Sequence, residues 1–149
     1  MVYRLIYSSK AVEGLTDSDL DEILHDALEN NGTNDITGIL MFYEGDFIQV
    51  LEGDRDVVTR LYKTIEKDPR HSNVDLLLDD LDTERMFGDW RMGFVPLDED
   101  SASRICGNLD VDSIDHLVKV SKRNTLIIQS FLATLMQEMT ENISVKNKR

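Results

Sequence analysis

The sequence is poor in the residues that build disulfides, metal centres and common catalytic motifs. Cys106 is its one cysteine, so an intrachain disulfide and CxxC chemistry are both excluded. The three histidines, His25, His71 and His116, lack the spacing of metal ligands, and we expect no metal site. A phosphate-cradling glycine loop, a GxSxG motif and a Cys–His pair are also missing. These absences argue against an enzyme.

Basic residues are scarce as well, with 16 Lys and Arg against 29 Asp and Glu, a formal net charge of −13. That charge repels nucleic acid and anionic membranes, so we expect neither as a direct partner. No apolar run approaches the roughly 20 residues of a membrane span, and the chain begins with a β-prone segment instead of a signal peptide. We therefore expect a cytoplasmic protein.

The most informative stretch is the β-prone segment DFIQVLEG at residues 46–53, which ends in a turn glycine. Side chains of a strand alternate between its faces, so Gln49 lies between the apolar Phe47 and Leu51 on one face. A buried amide left without hydrogen bonds costs about 1–3 kcal/mol. Gln49 therefore requires partners. From chemistry alone, a core glutamine satisfied by backbone or water is favoured over a ligand contact.

The other segments predict an α+β fold. Thr16 is the expected N-cap of a first helix that ends near Gly32, and a second helix begins near Asp54 and ends before Pro69. Strands are predicted at residues 2–8, 36–43, 46–53, 74–78 and 90–95, with a solvated acidic loop over residues 79–84. This order is a ferredoxin-like β-α-β-β-α-β sheet with an additional fifth strand.

Residues 98–149 predict a C-terminal helical extension. A single broad apolar helix is expected over residues 113–139, covering either the other side of the sheet or a second subunit. The last four residues, 146–149, have the composition of a frayed polar tail.

Several motifs, in their order and spacing, resemble the BLUF domain, a blue-light sensor that uses FAD. They are YRLIYSS at residues 3–9, Asn30-Asn31, Ile36-Thr37-Gly38, FIQVLEG at residues 47–53, Asp68-Pro69-Arg70-His71 and Trp90-Arg91-Met92. The resemblance covers residues 1–97 as a flavin-binding photosensor domain. Residues 98–149 resemble the extension of short, stand-alone members, which signal through partner proteins.

The resemblance implies a role for each matching residue. The photoactive residues would be Tyr7, the electron and proton donor, Gln49, whose hydrogen bonds rearrange, and Trp90 and Met92, which respond on the fifth strand. The cofactor-binding residues would be Tyr7, Ile23, Asn30, Asn31, Gln49, Ile65, Arg70, His71 and Met92. With this resemblance, Gln49 is interpreted as a ligand contact.

The implied cofactor is FAD. Because Thr64 stands where some members carry a basic residue, FMN or riboflavin would also serve. The implied partner is a downstream signalling protein, and the broad apolar helix suggests a homo-oligomer. Two alternatives share the fold: a colourless ferredoxin-like module that binds a small metabolite, and an acylphosphatase-like hydrolase. The hydrolase is disfavoured because Lys10 is the one basic residue directly after the first strand.

Overall fold

The computed structural model describes residues 1–122, 124–143 and 145–148. Its helices and strands follow one another in the order β1 (Val2–Ala11), α1 (Asp17–Asn34), β2 (Thr37–Tyr43), β3 (Asp46–Gly53), α2 (Arg55–Glu66), β4 (His71–Asp82), β5 (Trp90–Pro96), α3 (Glu99–Leu109), α4 (Ile114–Ser121), α5 (Thr125–Glu141) and β6 (Lys146–Lys148).

The strands form one mixed sheet in the order β4-β1-β3-β2-β5-β6. The pairs β1–β3, β1–β4 and β2–β3 are antiparallel, whereas β5 runs parallel to β2. Glu44 and Gly45 join β2 to β3 with φ angles of 45° and 83°, as a two-residue hairpin turn of type I′ requires. The α+β class and the ferredoxin-like order with an added strand are confirmed.

Both faces of the sheet are covered because its central strands are apolar on both sides. Phe47 and Leu51 of β3 face a core that α1 and α2 close. Ile48 and Val50 of the same strand face a second core, which α3, α4 and α5 close. The C-terminal helices therefore cover the other side of the sheet. The boundary predicted between residues 97 and 98 stays a prediction.

The starts of the first two helices follow their capping residues. Thr16 is the N-cap as expected: its Oγ1 accepts from the Asp19 backbone, and the Asp19 carboxylate accepts from the Thr16 backbone at 3.0 Å, which completes a capping box. Asp54 caps α2 with its carboxylate alone, which accepts from the backbone of Asp56 and Val57.

The predicted end of α1 at Gly32 is wrong, since the helix continues to Asn34. Asp35 takes the left-handed conformation at φ 53° and ends the helix, a role that short polar residues fill as well as glycine. Gly32 serves a different purpose. A Cβ at this position would lie 3.1 Å from Arg91 Nη1, so the missing side chain makes room for that guanidinium.

The acidic run at residues 79–84 is also not simply a loop, because its first four residues belong to β4. Pairing with β1 brings each of two carboxylates a partner: Asp79 accepts from the Tyr3 hydroxyl at 2.8 Å, and Asp82 accepts from Arg4 at 3.1 Å. Partners on the neighbouring strand thus extend β4 beyond the apolar segment from which it was predicted.

The C-terminal prediction of one helix over residues 113–139 is wrong. Asn124 accepts from the Ile127 backbone at 3.2 Å and starts α5 as a separate helix after α4, while residue 123 lies outside the described residues. An additional helix, α3, precedes both. The predicted frayed tail forms strand β6 over Lys146–Lys148, and residue 149 lies outside the described residues.

Candidate functional site

A cavity of about 250 Å³ lies between α1 and α2, above the sheet face that carries Tyr7 and Gln49. Eight of the nine predicted cofactor-binding residues line it: Tyr7, Ile23, Asn30, Asn31, Gln49, Ile65, Arg70 and His71. Met92, the ninth, contacts Gln49 from β5. The fold therefore brings together residues that are as far apart as 85 positions in the sequence, as Tyr7 and Met92 are.

Tyr7, Gln49 and Met92 form one continuous chain of polar contacts. Tyr7 and Gln49 are direct cross-strand partners in β1 and β3, so their side chains meet on the same face. The Tyr7 hydroxyl donates to Gln49 Oε1, and Gln49 Nε2 donates to Met92 Sδ at 3.3 Å. All three side chains are buried. The chain runs from one central strand through another to β5.

Tyr7 is held in its neutral form. Burial is the main cause that raises the pKa of its hydroxyl, and the nearby Tyr62 and Asp68 raise it further. The Tyr62 ring lies 5.5 Å from the Tyr7 ring, centroid to centroid. Tyr7 therefore keeps its proton at physiological pH, and that proton lies on the hydrogen bond to Gln49.

Asn31 offers a buried polar atom to the cavity. It lies in the last turn of α1, is fully buried, and donates from Nδ2 to the Arg91 carbonyl oxygen at 2.6 Å. Its Oδ1 atom is buried and has no hydrogen-bond partner among the residues that the structure describes. An unpaired buried acceptor is costly, and this oxygen is placed to accept from a donor in the cavity.

Arg70 and His71 also line the cavity. Arg70 Nη2 pairs with Asp68 Oδ2 at 2.7 Å and with Asp26 Oδ2 at 3.0 Å, which links the loop after α2 to α1. His71 Nδ1 lies 2.9 Å from Ser9 Oγ. Burial lowers the pKa of His71, so the imidazole is neutral at pH 7. The two ion pairs of Arg70 mean that the positive charge of its guanidinium is already compensated by the carboxylates of Asp26 and Asp68.

Met92 and Trp90 lie on different sides of the sheet. Met92 is fully buried in the core closed by α1 and α2, against Gln49. Trp90 packs on the other core, with its ring 6.4 Å from that of Phe87. The pairing of β5 with β6 is irregular between Trp90 and Phe94, which explains why two residues at positions i and i+2 do not share a face.

Sequence reasoning missed three contributors to this site. The Arg91 carbonyl oxygen, which accepts from Asn31, could not be found from the sequence because every residue has a main-chain carbonyl. Asp26 was unremarkable among 29 acidic residues. Tyr62 lies one position after Leu61 and three before Ile65 on α2, and this helical spacing with two apolar residues was the signal that could have placed it toward the cavity.

Residues 2–93 match the BLUF family, whose members are described as sensors of blue light using FAD. The match spans more than half of the chain. The chain belongs to the BLUF family. The resemblance drawn from its motifs is confirmed. Residues 2–93 are therefore a sensor module of a family that senses blue light with FAD.

Relatives share this domain within longer proteins. The chain is 41% identical over 70 residues to the photoactivated adenylate cyclase subunit beta of Euglena gracilis, covering 47% of this chain and 8% of that one. It is 38% identical over 88 residues to the blue light- and temperature-regulated antirepressor BluF of Escherichia coli strain K12, covering 59% and 22%. The chain thus spans less than a quarter of the length of either relative.

A solved structure resembles this BLUF protein over nearly its whole length. The ground state of BlsA superimposes with a TM-score of 0.79 at 32% identity, covering 91% of this chain and 88% of that one. The helices after the sheet are therefore part of a shared architecture.

None of the helices in the described part of the chain combines the length and the apolar character that a membrane span requires.

The residues of this BLUF cavity fit a flavin. A flavin has flat apolar ring faces and one edge with hydrogen-bond donors and acceptors. The cavity offers the aliphatic side chains of Ile23 and Ile65, and beside them the unpaired Asn31 Oδ1 and the Gln49 amide. The family assignment does not favour either alternative function that was considered for this fold, the metabolite-binding module or the hydrolase.

Proposed function

We propose that in this BLUF protein Tyr7, Gln49 and Met92 are the light-operated switch and that β5 passes their rearrangement to the C-terminal helices. The observation that supports this most directly is the continuous chain from the Tyr7 hydroxyl through the Gln49 amide to Met92 Sδ. It connects the cavity wall to the strand from which the helical region continues.

Different residues of the cavity would contact different parts of the flavin. Ile23 of α1 and Ile65 of α2 would flank the ring, while Asn31 and Gln49 would bind its polar edge. A bound flavin absorbs blue light and, once excited, accepts an electron readily. Asn30, Arg70 and His71 lie at the rim, where they would contact the remainder of the cofactor.

The residues at the rim of the cavity provide little positive charge for the phosphate groups of FAD. Arg70 is paired with Asp26 and Asp68, and Thr64 supplies a neutral hydroxyl where a cation would help. We therefore expect FAD to bind with FMN and riboflavin as effective substitutes, since the ring contacts are the same for all three.

Tyr7 acts as the electron and proton donor of the switch. Its proton already lies on the hydrogen bond to Gln49, so a proton that leaves Tyr7 meets the amide oxygen. The electron and the proton then return to Tyr7, and if the neutral amide has rotated in the meantime, Nε2 points to the Tyr7 oxygen and Oε1 points to Met92. A thioether sulfur accepts hydrogen bonds but donates none, so the contact with Met92 is lost. One amide rotation thereby changes what holds β5.

The output leaves through the helices that follow β5. Pro96 ends the strand, and Asp98 caps α3 two residues later by accepting from the Ser101 backbone at 2.7 Å. Trp90 joins the start of β5 to the core beneath those helices. α5 lies over a cavity of about 270 Å³ next to Leu132 and Met136, which leaves room for the helix to shift.

A downstream signalling protein is the proposed receiver of that shift, and the protein is proposed to act as a homo-oligomer in the cytoplasm. The relatives support regulation of a partner because one is named an antirepressor and another a photoactivated cyclase subunit. Leu126 of α5, 75% exposed, is an apolar contact available to such a partner.

The test is the absorption spectrum of the purified, flavin-bound protein before and after blue light. We expect a reversible red shift in the wild type and none in Gln49→Leu, because an aliphatic side chain of similar size cannot exchange donor for acceptor. Gln129→Leu on α5 makes the same change far from the flavin cavity and should leave the shift intact. A normal shift in Gln49→Leu would contradict the proposed switch.

A further inference from the structure

The first residues of β5 depend on side chains for part of their attachment. The parallel ladder between β2 and β5 begins at the pair Ile39–Gly93 and continues to Pro96. On the other side, β6 pairs with β5 at Trp90 and Phe94 with an irregularity between them. Arg91 and Met92 therefore precede the regular ladder with β2, although Met92 is the residue of the switch that lies on β5.

Two buried amides bind these consecutive residues from the cavity side. Asn31 Nδ2 donates to the Arg91 carbonyl oxygen at 2.6 Å, and Gln49 Nε2 donates to Met92 Sδ at 3.3 Å. The two bonds differ in strength, because a peptide carbonyl is a strong acceptor and a thioether sulfur a weak one. A rearrangement at Gln49 releases the weaker bond and leaves the stronger one in place.

Asn31 is itself firmly held. Its main-chain carbonyl oxygen accepts from two backbone N–H groups. One belongs to Asp35, which caps α1, and the other belongs to Ile36, at 3.0 Å. Next to it, Gly32 lets the Arg91 guanidinium lie directly over α1, so β5 approaches the helix closely here. The donor that binds β5 therefore belongs to a fixed end of α1.

We propose that Asn31 is a positioning residue for β5: its bond to the Arg91 carbonyl is a pivot that persists while the Gln49–Met92 contact opens. The inference rests on the proposed function and adds a second task to the residue that anchors the flavin edge. Oδ1 serves the cofactor and Nδ2 serves the strand, so one side chain sets the distance between them. Without the pivot, release of Met92 would loosen β5 instead of turning it.

Asn31→Asp tests this at alkaline pH, where the ionised aspartate keeps the shape and the acceptor of asparagine but cannot donate to the carbonyl. Asn34→Asp is the matched control: it makes the same charge change in the same last turn of α1, on an exposed asparagine whose Nδ2 also donates to a main-chain carbonyl oxygen, that of Asn30. Hydrogen exchange is measured on the full-length, FAD-saturated proteins in darkness. We expect backbone amide exchange at residues 91–93 to accelerate by roughly five- to tenfold in Asn31→Asp only, because the loss of one hydrogen bond changes the opening equilibrium by about this factor.

Under blue light, Asn31→Asp should keep the red shift, since Tyr7 and Gln49 are intact, and should lose the light-dependent exchange in α3 to α5. Unchanged exchange at residues 91–93, or a full light response in α3 to α5, would overturn the pivot. A wild type that shows no red shift would instead overturn the proposed switch, and the dark comparison would still decide whether Asn31 holds β5.

A measurement on the wild type avoids any loss of flavin or stability in the variant. NMR of the protein labelled at asparagine reports the side-chain amide protons of Asn31 directly. The pivot requires slow exchange of these protons both in darkness and in light. Rapid exchange in either state, like that of the exposed Asn30 amide, would refute it.

Discussion

Among individual residues, burial is what gives Tyr7 and Gln49 their function. A tyrosine or a glutamine on the surface exchanges its hydrogen bonds with water, so no single arrangement is maintained. Here Tyr7 is 1% exposed and Gln49 is 4% exposed, and each is the hydrogen-bond partner of the other. In this low-dielectric environment an inverted hydrogen bond changes the local field more than it would in water.

Tyr7→Phe should retain the fold and the flavin but lose the photoproduct almost completely. The aromatic packing survives, whereas the transferable proton and the easily oxidised ring do not. Transient absorption after a blue flash measures the yield. Tyr62→Phe removes a hydroxyl from the ring that lies 5.5 Å from Tyr7 and should keep most of the yield. A full, stable photoproduct from Tyr7→Phe would exclude Tyr7 as the donor.

His71 should make the protein less stable in mild acid. Burial lowers its pKa below the usual value of 6.5, so the unfolded chain takes up the proton more readily than the folded one. The stabilisation is present above the unfolded pKa of about 6.5 and is lost as the pH falls through the lower folded pKa. The free energy of unfolding should therefore decrease from pH 7 to pH 5.

His71→Gln isolates this effect, because glutamine cannot titrate and can still bond to Ser9. The difference in unfolding free energy between wild type and variant, measured by denaturant titration, should change with pH in the sense given above. The carboxylates that do not interact with His71 are common to both proteins and cancel in the difference, whereas Asp68 interacts with His71 and contributes to it. A difference that does not vary between pH 5 and pH 7 would show that His71 stays accessible to protons in the folded protein.

The residues of the site were predictable from the sequence to the extent that side-chain identity determines them. Gln49 was a buried amide in need of partners, and the motifs around Tyr7, Asn31 and Arg70 carried the resemblance. The carbonyl of Arg91 and the pairing of Asp26 with Arg70 were not predictable, because both depend on how α1 lies against other elements. The opposite orientations of Trp90 and Met92 depend on a local irregularity in β5.

At the level of helices and strands, the predictions were correct where an apolar pattern and a cap agreed, as at Thr16. They were wrong where tertiary contacts decided the boundary. Gly32 looked like a helix end, but the space it leaves is filled by Arg91. The acidic end of β4 looked like a loop, but Arg4 and Tyr3 on β1 bind its carboxylates.

The helices after β5 illustrate the same limit. α4 and α5 together gave one long apolar pattern, and Asn124, which caps the start of α5, lies within it. α3 buries small residues such as Ala102 and Cys106 against the sheet, and these give little periodic signal in the sequence. The region was recognisably helical, but the number of its helices was not.

Gly38→Ala should destabilise the protein by about 2 kcal/mol or more, in the range of overpacked cores. A Cβ at this position in β2 would collide with the Val50 carbonyl oxygen in β3, so the two strands must separate. Gly107→Ala in α3 is the control, because no atom lies within 4 Å of its added Cβ and alanine favours the helix. Denaturant titration compares them, and equal stabilities would show that β2 and β3 adapt freely.

Across the whole molecule, the sheet separates the flavin cavity from the output helices, and β5 is in contact with both sides. Met92 faces the cavity, whereas Trp90 faces the core of the helices. Ion pairs also cross to the C-terminal region: Lys10 of β1 binds Asp115 of α4, and Lys122 binds Asp75 of β4 at 3.1 Å. These charged contacts are largely exposed, so they yield more easily than the core.

Light should therefore change the exposure of the C-terminal helices more than that of α1. A shift of β5 acts first on Pro96 and α3, and then on α5, which has a cavity beneath it and can move without breaking a filled core. Hydrogen exchange in darkness and under blue light, resolved by peptide, should differ at residues 98–141. α1 carries the fixed end at Asn31 and should show little change. Gln49→Leu under the same light controls for heating and should show no difference. If residues 98–141 exchange identically in darkness and light while the flavin shifts normally, the signal leaves through another surface.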